Sequence, residues 1–189
     1  MVLTEDERED FSLALLGDVL ASFKRAGLIS KTFVVTSNHH ASSLAATFGA
    51  RTIDEGSDRG VSEAVRLGTG TLGPGDFLVV PSDLPMLSRS DILAVIEAKQ
   101  TGFDVVLAPS AAFDGTNAYL FSSSDNVLLS YDDDSFWNHV AGAAKGGLRL
   151  SVCTRKGFVF DVDNRDDLAC LGKSGKAGRS AAMARRALD

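Results

Sequence analysis

The sequence predicts an α/β domain: a mostly parallel sheet with helices on both faces. Two observations carry this. Short, continuous, β-branched apolar runs alternate with segments whose apolar residues recur at helical spacing, and the connections between them are short. The chain has 189 residues, 44% of them hydrophobic and 23% charged, enough to bury one core.

The elements follow in order. Thr4 and Glu7 fit a capping box, and acids fill the first turn behind it. Phe11, Leu15, Leu16, Val19, Leu20 and Phe23 then share a helical face, and Gly27 is a natural stop. Thr32–Thr36 reads as a buried strand, Ala41–Phe48 as a second helix, Arg51–Ile53 as a short strand and Val61–Leu67 as a third helix. Asp76–Pro81 is the strongest strand signal, being continuous and β-branched. A helix follows from Leu87–Ser88 to about Lys99, then strands over Asp104–Ala108 and Asn117–Phe121. Ser135–Ala144 reads as a helix, Leu148–Cys153 and Phe158–Val162 as late strands, and Asp166 onward as a closing helix. Residues 1–171 form the expected domain. Residues 172–189 are an expected basic, mobile tail, with Lys173, Lys176, Arg179, Arg185 and Arg186 against Asp189.

Composition excludes several classes. No run of 18 apolar residues exists, and the first ten residues are acidic where a secretory signal is basic and then apolar. Two cysteines, Cys153 and Cys170, make neither a disulfide framework nor a four-cysteine zinc site, so the reading is a cytoplasmic protein. Removing the tail's five bases and one acid from totals of 19 and 25 leaves 14 and 24, a body of net charge −10. Such a body repels nucleic acid.

Several strings carry no chemistry. Gly68–Gly73 matches G-x-G-x-x-G, but a helix precedes it and a strand follows, the reverse of the dinucleotide motif, so it reads as an ordinary loop. Gly172-Lys173-Ser174 lacks the upstream glycine of a phosphate loop, because Asp167 stands there. His39 and His40 are adjacent and point to different faces, which suits a surface or capping role. Cys153 reads as a small core residue, Phe136 and Trp137 as packing residues. No Ser-His-Asp set with a nucleophile elbow is present.

Three acids stand out by position. Asp83 follows the strand ending near Val80, and Asp161 and Asp163 follow the expected strand from Phe158. Ligands in such sheets bind beyond the carboxyl ends of the strands. Three carboxylates at one such edge repel and call for a cation; Mg²⁺ suits them, since it takes carboxylate and phosphate oxygens. Any one of them alone reads more simply as a turn or helix cap. Asp114-Gly115-Thr116-Asn117 lies between two strands, and its backbone N–H groups suit an anion as well as a plain β-turn does. Ser135 opens a helix, either as an anion-binding terminus or as an ordinary N-cap. His139 lies four residues on, facing the site or satisfied in the core.

Together these segments resemble the 2-phospho-L-lactate guanylyltransferase family of deazaflavin-coenzyme biosynthesis. The residues that carry the resemblance are Leu3–Arg8, Ser82-Asp83-Leu84-Pro85-Met86-Leu87, Asp114–Ala118, Ser135-Phe136-Trp137-Asn138-His139 and Asp161–Leu168, in the family's order. The resemblance implies a three-layer Rossmann-like nucleotidyltransferase fold of the molybdenum-cofactor guanylyltransferase type. It implies GTP and a three-carbon phospho-acid as substrates: 2-phospho-L-lactate, phosphoenolpyruvate or 3-phospho-D-glycerate. Asp83, Asp161 and Asp163 match the family's catalytic Mg²⁺ ligands. Thr116 and Ser135 match positions contacting the phospho-acid, and Gly115 belongs to the same turn. A downstream deazaflavin-modifying transferase is the implied partner, and a homodimer is the assembly that base rates for soluble oligomers favour.

The chain departs from the pattern in three places. Arg59-Gly60-Val61-Ser62-Glu63-Ala64 stands where the family often has Gly-Leu-Asn before Ala, and Asp132 stands where it often has glycine. Family members begin with a strand and a basic loop, whereas this chain begins directly with a helix. The expectation is that about 25 residues, one strand and its loop, belong before it. Two other readings stay open: a CTP- or UTP-dependent nucleotidyltransferase sharing Asp-Leu-Pro, and a non-catalytic phospho-acid or partner-binding relative.

Overall fold

The computed structural model describes residues 3–188. Helix α1 spans Glu5–Ala26 and starts and stops where its sequence dictates. The Thr4 side chain accepts from the Glu7 N–H, the Glu7 carboxylate accepts from the Thr4 N–H, and Gly27 closes the helix at φ 73°. Its apolar residues serve three neighbours. Phe11 and Leu15 pack with the C-terminal helices, Val19 with the central core, and Leu16 and Leu20 with α2 (His39–Thr47). This helix is therefore the axle of the molecule.

Strands β1 (Phe33–Val35) and β2 (Arg51–Ile53) form a small parallel pair, with α3 (Val61–Leu72) against β1. The larger sheet contains β3 (Asp76–Val79), β4 (Val105–Pro109), β5 (Thr116–Ser122) and β6 (Leu150–Val152), in the spatial order β3-β5-β4-β6. Strand β5 runs antiparallel to both β3 and β4, and β6 runs parallel to β4. Three of its four strands thus share one direction, and β5 is inserted against them. Helices cover both faces, as expected. Val106, Ala108, Ala118 and Leu120 face α1 and α4 (Arg89–Gln100); Val105, Leu107, Tyr119 and Phe121 face α5 (Ser135–Lys145). Period-two alternation in both central strands builds both cores.

One irregularity in this sheet matters for function. Ala108 pairs with Ala118, but Pro109 pairs with Thr116, so β5 carries one extra residue there. A bulge of this kind re-aims side chains. Thr116 turns toward α5, while Asn117 turns to the opposite face, toward Phe158 and Asp161.

Four expectations need correction. Phe158–Val162 is not a strand. Lys156–Val159 is a short helix, α6, followed by an extended loop into α7 (Arg165–Lys173). The reason is local packing: Gly157 is buried so tightly that a Cβ there would stand 2.1 Å from an Asp91 carboxylate oxygen, and Phe158 is wholly buried in the central core. A short apolar run does not distinguish strand from buried helix by periodicity. Second, Gly68 and Gly70 lie within α3, and only Gly73 ends it, so the glycine string is helix rather than loop. Third, Trp137 is 56% exposed and only Phe136 packs inward. Fourth, the expected tail is structured: the boundary at 171/172 falls inside α7, and Arg179–Arg186 forms α8. Ala181 and Ala184 are buried against Phe11, Leu15 and Leu171, and Asp18 of α1 accepts from the Arg179 and Ser180 N–H groups.

Candidate active site

The loop after β3 carries Asp83. Leu84, Pro85 and Leu87 are buried behind it and anchor the loop in the core. Asp83 Oδ1 is itself buried and has no hydrogen-bond partner among the described residues. Burial pushes this carboxyl up to about 6, and the charges of Asp163 and Asp161 push the same way. Asp163 is also raised, first by desolvation and then by Asp161, Asp167 and Asp114. The three sequence-selected acids therefore share one electrostatic neighbourhood.

They reach it by a different route from the expected one. Asp161 and Asp163 sit on the loop between α6 and α7, not at a strand end. The Asn117 amide donates to Asp161 Oδ2 at 3.0 Å and to the Phe158 carbonyl at 2.9 Å, so the bulged strand β5 holds that loop. Asp167 accepts from the N–H groups of Asp163 and Asn164 at 3.2 Å, fixing the start of α7. Asn117, to which the sequence gives no role beyond the Asp114–Asn117 turn, is the side chain that ties β5 to this loop.

Among the described residues, no Lys or Arg forms a salt bridge with Asp83, Asp161 or Asp163. Nor does any group of three or more His, Cys, Asp or Glu side chains stand close enough there to cage a metal by itself. The expected meeting of three carboxylates around one ion is thus not a preformed cage. An orphaned buried carboxylate oxygen beside two further acids fits a hard divalent cation whose remaining ligands are water and substrate phosphate.

On the other side of the bulge lies a buried polar set. Thr116 Oγ1 is 2.8 Å from His139 Nδ1 and 3.3 Å from Ser135 Oγ, and the Ser130 N–H donates to His139 Nε2 at 3.1 Å. Thr116, Ser135 and His139 are all buried. Ser135 is not a cap here: Asp134 precedes α5 in a left-handed conformation (φ 55°), and the Ser135 side chain points to Thr116. Gly115 stands beside them, but its N–H already donates to Asp114 Oδ1 at 2.7 Å and Ser110 Oγ at 3.1 Å. It shapes the turn and offers no free donor. Ser62, at one of the departures from the family pattern, accepts from the Tyr131 N–H at 2.8 Å and ties α3 to the segment beside His139.

The remaining candidates fall outside. His40 pairs with Glu9 on the surface at 2.9 Å, and Asn38, not a histidine, caps α2. Cys153 is half-buried against the central core, and burial raises its thiol, which disfavours the thiolate.

The chain is similar to several known proteins. The phosphoenolpyruvate guanylyltransferase of Rubrobacter xylanophilus is 37% identical over 103 residues, covering 54% of this chain and 50% of that protein. The chain thus spans about half the length of that relative. The 2-phospho-L-lactate guanylyltransferase of Ferroglobus placidus is 32% identical over 182 residues, 95% of this chain and 80% of that protein. A solved structure from Desulfovibrio desulfuricans, described as a nucleotide-diphospho-sugar transferase, superimposes with a TM-score of 0.77 at 15% identity, covering 98% of this chain and 85% of that one. That likeness gives the fold, a Rossmann-like nucleotidyltransferase. A family model described as guanylyl transferase CofC like matches residues 1–186, and the chain belongs to that family.

Proposed function

We propose that this protein transfers GMP from GTP to a three-carbon phospho-acid, phosphoenolpyruvate, 2-phospho-L-lactate or 3-phospho-D-glycerate, with release of pyrophosphate. One observation carries the reading. A single β5 bulge joins an uncompensated carboxylate cluster on one side to a buried hydroxyl pair on the other. That pairing suits a reaction between two phosphate-bearing substrates.

In the reaction, an oxygen of the acid's phosphate attacks the α-phosphorus of GTP in line. A new P–O–P bond forms, the α–β anhydride bond breaks, and pyrophosphate leaves with the electron pair. The attacking oxyanion is already charged near neutral pH, so positioning and charge stabilisation dominate over base catalysis. Asp83, Asp161 and Asp163 would hold Mg²⁺, which supplies charge neutralisation between the two anions. Asn117 orients Asp161 for that task, and its second hydrogen bond stiffens the loop behind it. Thr116 and Ser135 orient the acid, with Gly115 setting the turn.

The same reading puts the protein in the cytoplasm, upstream of a transferase that passes the activated acid to a deazaflavin acceptor. No described helix is long and apolar enough to cross a membrane. The test is pyrophosphate release with GTP, CTP or UTP and each of the three acids, with Mg²⁺ or with chelator. Activity confined to GTP, Mg²⁺ and one or more of the acids is expected. Preference for CTP or UTP overturns the guanylyl assignment, and no release with any combination overturns the enzyme reading.

A further inference from the structure

His139 is wholly buried in the described core, and the mechanism so far gives it no task. Its hydrogen bonds can be assigned by counting. The Ser130 backbone N–H donates to Nε2, so Nε2 carries no hydrogen. A neutral ring then carries its hydrogen on Nδ1, which donates to Thr116 Oγ1. The Ser135 hydroxyl donates to the same oxygen. A hydroxyl has two lone pairs and one hydrogen. Both Thr116 lone pairs are thereby engaged, and its hydrogen has no acceptor among the described residues.

The surroundings keep this arrangement. The His139 ring lies between Tyr119 and Tyr131, with centroids 4.7 and 4.9 Å away, and no charged side chain pairs with it among the described residues. Burial holds its pKa down at about 4, so the ring is neutral near pH 7. A protonated ring would aim a second N–H at the Ser130 N–H.

We propose that His139 is a positioning residue: locked by Ser130 in its Nδ1–H form, it makes the Thr116 hydroxyl an obligatory donor, so Thr116 selects an acceptor-only anionic oxygen of the phospho-acid. The inference rests on the reading that Thr116 contacts that acid. Nδ1–H and Ser135 leave the Thr116 hydrogen one outlet.

Two measurements test it on the full chain. Long-range ¹H–¹⁵N correlation of the histidines at pH 7 is expected to show His139 neutral with its hydrogen on Nδ1; hydrogen on Nε2, or on both nitrogens, overturns the proposal. This readout needs no variant. Steady-state kinetics with phosphoenolpyruvate then compares Thr116→Val, His139→Leu, His139→Asn and the Thr116→Val/His139→Leu double variant. Each of Thr116→Val and His139→Leu is expected to raise KM for the acid about tenfold, the effect of one lost hydrogen bond, with KM for GTP unchanged. His139→Asn, whose amide N–H reaches the Nδ1 position, is expected to recover most of that loss. The double variant is expected to be no worse than Thr116→Val alone. A His139 effect that persists undiminished without the Thr116 hydroxyl marks a merely structural histidine and overturns the proposal. A Thr116 effect with none at His139 overturns the positioning role alone. No effect of Thr116→Val overturns the substrate reading itself, and the positioning role with it.

Discussion

The two sides of the β5 bulge differ in how completely they are satisfied. Toward α5, Thr116, Ser135, His139 and the Ser130 N–H form a linked set in which both Thr116 lone pairs and His139 Nε2 have donors. Toward α6, Asp83 keeps a buried oxygen with no partner beside Asp161 and Asp163. The linked side sets direction, because buried hydrogen bonds fix rotamers. The open side gathers negative charge that a metal cation or, at Asp83, a proton relieves. One extra residue in a strand separates the two tasks.

The sharpest way to break this contrast is Asp83→Asn. Turnover should fall about a thousandfold, some 4 kcal/mol of barrier, because a ligand to the counter-charge is lost. Near-normal turnover in a pyrophosphate-release assay would remove the carboxylate side from the chemistry. Gly157→Ala comes next. The added methyl meets Asp91 Oδ2 at 2.1 Å and Leu87 Cα at 3.1 Å, so about 3 kcal/mol of stability should be lost in urea unfolding. Unchanged stability would mean that the loop behind Asp83 is not pinned by α6.

Asn117→Ala probes the link between the sides. It leaves the Phe158 carbonyl unpaired and Asp161 unheld, and should cost about 2 kcal/mol of stability together with a rise in the Mg²⁺ needed for half-maximal rate. Loss of stability without the Mg²⁺ effect would confine Asn117 to structure.

The smallest effect is a pH slope. Asp83 titrates at about 6 in the fold against an ordinary 3.8, so the folded state binds its proton more tightly than the unfolded chain does. Its contribution is therefore full below pH 4 and lost as pH rises through 6. Without Mg²⁺ that slope should be about 1–2 kcal/mol, reduced from the full two-unit value by partial exposure. Asp83→Asn should abolish it and make the metal-free protein more stable at pH 8. Equal slopes in the two proteins would show that the carboxylate is already compensated.

Much of the fold was legible because its signals are local. The Thr4–Glu7 box and Gly27 bound α1 by capping chemistry within a few residues. The alternating residues of β4 and β5 named their own faces. Asp83, Asp161 and Asp163 stand out by position, and the charges of Asp163 and Asp161 reach Asp83, but among the described residues they form no ready cage for an ion. The α6 error shows the limit: Phe158–Val162 reads as a strand, whereas Lys156–Val159 is a short helix with Gly157 packed closely against Asp91 and Leu87. The docking of α8 was equally hidden, since its anchor is Asp18, 161 positions before Arg179.

What the amino-acid order settled alone is therefore an α/β domain with helices on both faces, and which acids and hydroxyls it has to work with; that it is a nucleotidyltransferase rests on its likeness to a family. Composition, period and caps act over one turn or one strand, and they survive in the linear text. What only the tertiary structure decided is which way those groups point. The bulge that turns Thr116 and Asn117 to opposite faces depends on pairing with Pro109 of another strand. The state of His139 depends on a backbone N–H nine residues earlier, brought back by folding. Direction comes from partners distant in the chain, so no local pattern records it.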